Sequence, residues 1–380
     1  MAPDNGECRI LVIGGTGRLG RHIVAASARL SHHTSALVRD TSPSDPTKAA
    51  LLQSFRDLGV ELVHGDLYDH ASLVRPMKTT DVVISALGTS QIAGQTRLIT
   101  AIKEAGCVKR FLPSEFWTDV DRTCAVEPAR SAVYGAKAAI RRAVEASGVP
   151  HTYVLCGYLA GAALPSVGQV VSPTPPAGEA VVLGDGDTKV VYVAEEDVGV
   201  YTAMAAADPR AAGKMVYVKP PANTVSHNEL LSMWEKKTGR GFRRAYVAEA
   251  TVLKMIRGQS AHPGDVLKAA LHFTAVKCGW GERFSSVAEA PFELGISLAH
   301  AAYILGETDF KIEPSRGVAA GELYPDVKYT TVSEYLDRLL MSTGSSERYL
   351  QGRKCLVTSV VAACCVFLCV YVWMLSGRLG

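Results

Sequence analysis

Residues Cys8 to Arg39 read CRILVIGGTGRLGRHIVAASARLSHHTSALVR. The apolar run Ile10 to Ile13 has the length of a buried strand. Gly14, Gly15, Thr16, Gly17, Arg18, Leu19 and Gly20 follow, and a helical pattern then sets Leu19, Ile23, Val24 and Ala28 on one face. Strand, glycine turn and helix in this order form a cradle for a pyrophosphate. The first glycines allow the tight turn, Gly17 lets backbone N–H groups approach the phosphates, and Gly20 lets the helix lie on the strand. The next strand pattern, Thr34 to Val38, ends on Arg39, where an NAD site would carry a carboxylate. A guanidinium there suits the 2′-phosphate of NADP, and Lys48 adds charge at the start of the following helix.

The chain has 380 residues, 48% hydrophobic and 20% charged, which is globular composition with room for one large domain or two. Net charge is +3 and the basic residues are scattered, which excludes a nucleic-acid-binding protein as the expectation. Cys8, Cys107, Cys124, Cys156, Cys278, Cys355, Cys364, Cys365 and Cys369 include no CxxC and no Cys/His ligand pair outside the C-terminal tail. Reduced thiols, a cytoplasmic protein and no metal site are expected. The N-terminus MAPDNGECR lacks an apolar signal region.

Strand and helix patterns alternate outward from the glycine turn. Helices are expected over 49–58, 97–104 and 131–147, and strands over 60–63, 81–86, 110–112 and 152–155. This spacing predicts an α/β fold, a Rossmann-type doubly wound parallel sheet over residues 1–155. Ligands of such sheets lie beyond the carboxyl ends of the strands. Those ends are Gly14 to Gly20, Arg39, Asp66, Ser85 to Gln91, Pro113 to Trp117 and Cys156 to Gly161. Residues 156–345 predict a smaller mixed α/β lobe on the substrate side. In it Gly184 to Asp187 read as a hairpin turn between Val181 and Val191, and Ser226 with Glu229 as a capping box.

Tyr134 and Lys137 are three residues apart on one helix face. A short-chain dehydrogenase relay needs four, so the tyrosine-acid scheme is not supported. A lysine in a cleft beside a cofactor can act as acid or base, while a solvated helix lysine is the commoner state.

Further stretches carry a likeness to a known family: LVRD, DVVISALG, RFLPSEF followed by DVDR, AKAAIRRAVEASGVPHTYV, GDGDTKVVYV, SHNELLSMWEKKTG and ELYPDVKYTTVSEYL. With GGTGRLG they span nearly all of residues 8–340 in order. The chain resembles the plant isoflavone reductase-like family of NmrA-like, atypical short-chain reductases, its wording nearest the grass isoflavone reductase homologues. That family includes phenylcoumaran benzylic ether, pinoresinol-lariciresinol and isoflavone reductases. The resemblance implies that Gly14 to Gly20, Arg39 and Lys48 bind NADP(H), that Arg141 lies near the cofactor and that Lys137 is the catalytic base. It implies NADPH-dependent reduction of a phenylpropanoid small molecule, with a homodimer also in view. The alternative is an NADP(H)-binding NmrA-like regulator without turnover.

Four departures from the family stand out. Trp117 replaces a glycine after SEF and is expected to crowd the nicotinamide. Cys156-Gly157-Tyr158 alters the presumed pocket, and residues 261–290 read as an insertion. The tail, residues 346–380, contains an uncharged apolar stretch from Cys355 to Ser376, long enough for a transmembrane helix. Arg353 and Lys354 before it would keep the enzyme on the cytosolic side of a tail anchor.

Overall fold

The computed structural model describes residues 8–170, 172, 174–176, 178–259 and 292–342. Its first half is built on β1 (Arg9–Ile13), β2 (His33–Val38), β3 (Glu61–His64), β4 (Val82–Ser85) and β5 (Arg110–Leu112). They pair in parallel in the order β3-β2-β1-β4-β5. Helices α1 (Gly20–Arg29), α2 (Pro46–Asp57), α3 (His70–Met77) and α4 (Gln95–Ala105) connect them, and α5 (Ala136–Ser147) follows β5.

The alternation of side chains along β1 explains why both faces are covered. Ile10 and Val12 share a core with Ile23 and Val24 of α1 and with Leu52 and Phe55 of α2. Leu11 and Ile13 share the opposite core with Leu73 and Met77 of α3, Leu98 and Ile102 of α4, and Ile140 and Val144 of α5. A strand buried on both faces has no polar positions, so it reads as an uninterrupted apolar run. Strand order reverses between β1 and β4, which places the crevice for a ligand at the end of β1.

The sheet is extended by β6 (Tyr153–Leu155) and, from later in the chain, β10 (Met215–Tyr217) and β13 (Gly317–Ala319), parallel in the order β13-β10-β6. Phe111 of β5 joins the two strand sets: it donates to the Pro150 carbonyl (2.8 Å) and accepts from Thr152 N–H (3.1 Å). A second layer comprises β7 (Tyr158–Leu159), β8 (Glu179–Leu183), β9 (Lys189–Val193), β11 (Thr224–Ser226) and β12 (Arg243–Val247). Its described helices are α6 (Ala160–Ala163), α7 (Glu195–Ala207), α8 (His227–Thr238), α9 (Glu249–Ile256) and a helix over Phe292–Tyr303. Helix α7 returns to α1 so closely that a Cβ on Gly199 would sit 2.7 Å from the His22 carbonyl oxygen.

The capping box is present: the Ser226 hydroxyl accepts from Glu229 N–H, and the Glu229 carboxylate accepts from Ser226 N–H (2.7 Å). Two expectations are corrected. The hairpin around Gly184–Asp187 does not form, because β8 pairs with β12 while β9 lies between β7 and β11. Val190 to Val193 are buried on both faces, which suits a central strand. The turn itself is held from α8, where Asn228 donates to the Asp185 carbonyl (3.0 Å) and Asp187 Oδ1 (2.8 Å). The helix expected over 131–147 is not uniform either. Arg130–Gly135 is a π-helical turn, and the α-helix proper starts at Ala136.

Residues up to Val332 form one compact unit; beyond it the described residues run to Ser342, in the helix Val332–Ser342. Among the described residues no helix is long and apolar enough to cross a membrane. The inserted segment 261–290 and the apolar helix expected over 355–376 lie outside the described residues.

Candidate active site

The glycine turn leaves β1 and enters α1 at Gly20. Gly14 takes φ +79°, and a Cβ there would lie 2.6 Å from the Ala86 carbonyl oxygen. A Cβ on Gly20 would lie 2.1 Å from the Gly14 carbonyl oxygen, and one on Gly15 would lie 2.9 Å from Val24. That same Gly14 carbonyl accepts the Gly17 N–H at 3.0 Å. The crest at Thr16 and Gly17 is exposed at the start of a helix, where an anion is favoured. Leu19 turns its side chain into the core, leaving only its backbone for a ligand. Arg39 is exposed at the carboxyl end of β2, and Lys48 is exposed in the first turn of α2, where its N–H bonds the capping Asp45 (2.7 Å). A close-walled glycine cradle flanked by exposed cations fits a dinucleotide bearing an extra phosphate.

Lys137 lies in the first turn of α5 with only 9% of its surface exposed. Its Nζ donates to the backbone carbonyl of Glu115, just beyond β5. Burial pushes the ammonium below the usual lysine range, and Arg141 pushes in the same direction. Glu115 and Cys156 oppose them. Desolvation is the largest influence, so the site disfavours the charged ammonium relative to a lysine in water. Once deprotonated, the amine keeps a lone pair free while an N–H holds the carbonyl.

Arg141 is fully buried one turn further along α5. Its guanidinium grips Glu115 with two bonds (3.0 and 2.9 Å) and donates to Asp119 (2.6 Å) and Asp121 (3.1 Å). It also stacks over Tyr153 at 5.0 Å. The resemblance set Arg141 near the cofactor; its guanidinium is spent on three carboxylates, and what it does here is anchor Glu115. Arg316 reaches the same carboxylates from the residue before β13 (Asp119, 3.1 Å).

Aromatic side chains stand beside this pair. The Trp117 indole N–H donates to the Tyr134 hydroxyl (3.1 Å), and its ring meets Tyr158 edge-on at 4.9 Å. Tyr158 faces Tyr192 (6.2 Å) and Tyr303 (6.1 Å), and burial raises its phenol to about 12. Burial likewise raises the Cys156 thiol to about 12, so it is no nucleophile at neutral pH. Tyr134 is 1% exposed and its phenol is pushed well up by burial, which suits a structural partner of Trp117 better than an acid.

Glu115 carries a role that sequence reasoning missed. The available signal was a carboxylate directly after the apolar strand RFL, with Asp119 and Asp121 close behind and two arginines on the next helix. Among the described residues no group of three His, Cys, Asp or Glu is placed to hold a metal ion.

Fold and site together define a dinucleotide-binding α/β protein of the short-chain reductase class, with a buried lysine at the start of α5. The NmrA-like family profile matches residues 7–336, and the chain belongs to that family, in its isoflavone reductase-like branch. It is 60% identical to an isoflavone reductase homolog of Zea mays, over 88% of this chain and 99% of that one. The crystal structure of an isoflavone reductase superposes with a TM-score of 0.74 at 41% identity, covering 87% of this chain and 99% of that chain. A structure described as AtPrR2 with NADP+ and (+)pinoresinol gives 0.73 at 35% identity, covering 88% and 99%.

Proposed function

We propose that the chain is an NADPH-dependent reductase of phenylpropanoids, with Lys137 as general base. The carrying observation is the buried Lys137, its ammonium disfavoured by desolvation and its Nζ bonded to the Glu115 carbonyl, at the end of a sheet whose glycine turn suits a dinucleotide. Gly14 to Gly20 would seat the pyrophosphate, with the side chain of Leu19 in the core, and Arg39 and Lys48 would take the 2′-phosphate. When bound, NADPH supplies the hydride. Lys137 takes the proton of a substrate phenol. The phenolate expels a benzylic ether oxygen para to it, which leaves as an oxyanion and takes that proton back from Lys137. The benzylic carbon is left to accept the hydride, with the ring oxygen regaining its proton from solvent. On a conjugated double bond the same lysine instead orients the ring hydroxyl. Trp117 and Tyr158 supply flat apolar surface for an aryl ring.

Residues 1–155 serve the cofactor and 156–345 the substrate in this reading. A cytoplasmic location, a homodimer and a membrane tether through residues 355–376 are proposals that rest on the sequence. Sedimentation tests the dimer, and detergent dependence of the full chain against residues 1–345 tests the tether.

The function is tested by following NADPH absorbance with a panel of benzylic ethers, lignans and isoflavones. Turnover lost in Lys137→Ala with NADPH binding intact supports the reading. Tight NADPH binding without turnover on any substrate overturns it in favour of a cofactor-sensing protein.

A further inference from the structure

We infer that the Glu115–Arg141 pair is a charge-balancing and positioning device that sets the proton state of Lys137. The inference rests on Lys137 being the base. Glu115 holds the lysine by two routes at once. Its backbone carbonyl accepts from Nζ, and its carboxylate lies in the buried two-bond grip of Arg141. The three residues close a ring of contacts across the β5–α5 connection, because Lys137 and Arg141 are four apart on one helix. The charged and titratable groups that bias the ammonium are few. Glu115 comes from the loop after β5, Cys156 from the turn after β6, and Arg141 from α5 itself. Cys156 is held as a neutral thiol by burial. Glu115 and Arg141 therefore supply the formal charges, and as an oppositely charged pair they offset one another at Nζ in part, Glu115 being the larger influence.

This offset has a chemical use. An unbalanced carboxylate would hold the lysine protonated and useless as a base, whereas an unbalanced guanidinium would weaken its grip on a substrate proton. The paired arrangement leaves burial in charge of the proton, while Asp119 and Arg316 brace the guanidinium from outside the pair.

The two members pull in opposite directions, and that gives the test its sign. Glu115→Gln keeps the carbonyl and the shape but leaves the Arg141 charge facing Nζ. The ammonium is then disfavoured, and the ascending limb of kcat/KM against pH moves to lower pH. Arg141→Gln leaves the carboxylate, favours the ammonium and moves the limb to higher pH. Arg141→Lys and Glu115→Asp keep the charges and leave the limb near its wild-type position. A merely structural role predicts another pattern. Loosening either partner admits water, relieves the desolvation of Lys137 and moves the limb upward in both neutral variants.

The profiles are measured at saturating NADPH. Proton binding at Lys137 is read without turnover from its 13Cε resonance in lysine-labelled protein, assigned by its loss in Lys137→Arg. Limbs moving in opposite directions establish the inference. Limbs moving together, or not at all, overturn it. If Glu115→Gln does not fold, the Arg141→Gln and Arg141→Lys pair carries the test: an upward limb in the first alone supports it, and equal limbs sink it. Turnover that survives Lys137→Ala is a different failure, since it removes the base reading and leaves the 13Cε shifts to judge the pair.

Discussion

Gly20→Ala is the smallest change that interrogates the cofactor turn. The added Cβ would sit 2.1 Å from the Gly14 carbonyl oxygen, a backbone atom with no rotamer to escape into. Ordinary contact needs a separation of roughly 3.5 Å or more, so the helix start and the turn must part by more than 1 Å. Gly14 cannot yield freely, because its own Cβ position already abuts the Ala86 carbonyl just beyond β4. The displacement thus opens the Gly17 N–H to Gly14 carbonyl bond and shifts the crest proposed to receive a phosphate. Losing alignment of one charge-assisted hydrogen bond costs about 2 kcal/mol, or roughly thirty-fold in Kd. Overpacking adds about 1–3 kcal/mol of lost stability. Titration calorimetry with NADPH reads the first effect and thermal unfolding the second. An alanine variant that binds NADPH as tightly as the wild type would refute the cradle, whatever its melting temperature.

Arg39→Ala should weaken NADPH binding roughly tenfold and leave NADH binding unchanged, because only the former carries the phosphate a guanidinium can pair; parallel fluorescence titrations read both. Ser226→Ala should lower stability by about 1 kcal/mol, seen as a lower urea midpoint, since it removes the cap of α8 without touching the core. His227 is almost fully buried, and desolvation lowers its imidazole to about 4, against an ordinary value of 6.5. The unfolded chain therefore takes up a proton first as pH falls, so this residue's neutral form is tolerated above pH 6.5 and costs stability progressively below it. The loss reaches about 3 kcal/mol near pH 4. Urea unfolding at pH 7 and pH 5 should show a drop that His227→Gln reduces, and an unchanged drop in the variant would disprove the assignment.

The sheet was legible because its strands are buried on both faces. Ile10 to Ile13 and Val82 to Ile84 can hold no polar residue, and the turn after β1 needs glycine at positions where a Cβ meets backbone. Partner choice in the second layer was not legible. Gly184 to Asp187 has the chemistry of a tight turn, but turn chemistry cannot say that β9 will find both its neighbours elsewhere. Nor could spacing reveal the site's core. Glu115 and Arg141 are 26 residues apart and meet only because the loop after β5 folds under α5. Nor did spacing show what Trp117 touches: its indole N–H donates to Tyr134 and its ring meets Tyr158 edge-on.

Chemistry, rather than cofactor sensing, accounts for the arrangement around α5. In the proposed reading, binding a dinucleotide asks only for the glycine turn and exposed cations, which Gly14 to Gly20 with Arg39 and Lys48 would supply without α5. A sensor gains nothing from a lysine in the interior, where desolvation opposes its charge and its Nζ is bonded to a backbone carbonyl rather than to a carboxylate. A methionine of similar length would pack there without that burden. The fold nonetheless keeps the amine and bonds it to the carbonyl of a residue whose carboxylate is gripped by Arg141. Those features stabilise neither the turn nor the sheet, and they are what a base must have to remove a phenolic proton next to a bound aryl ring.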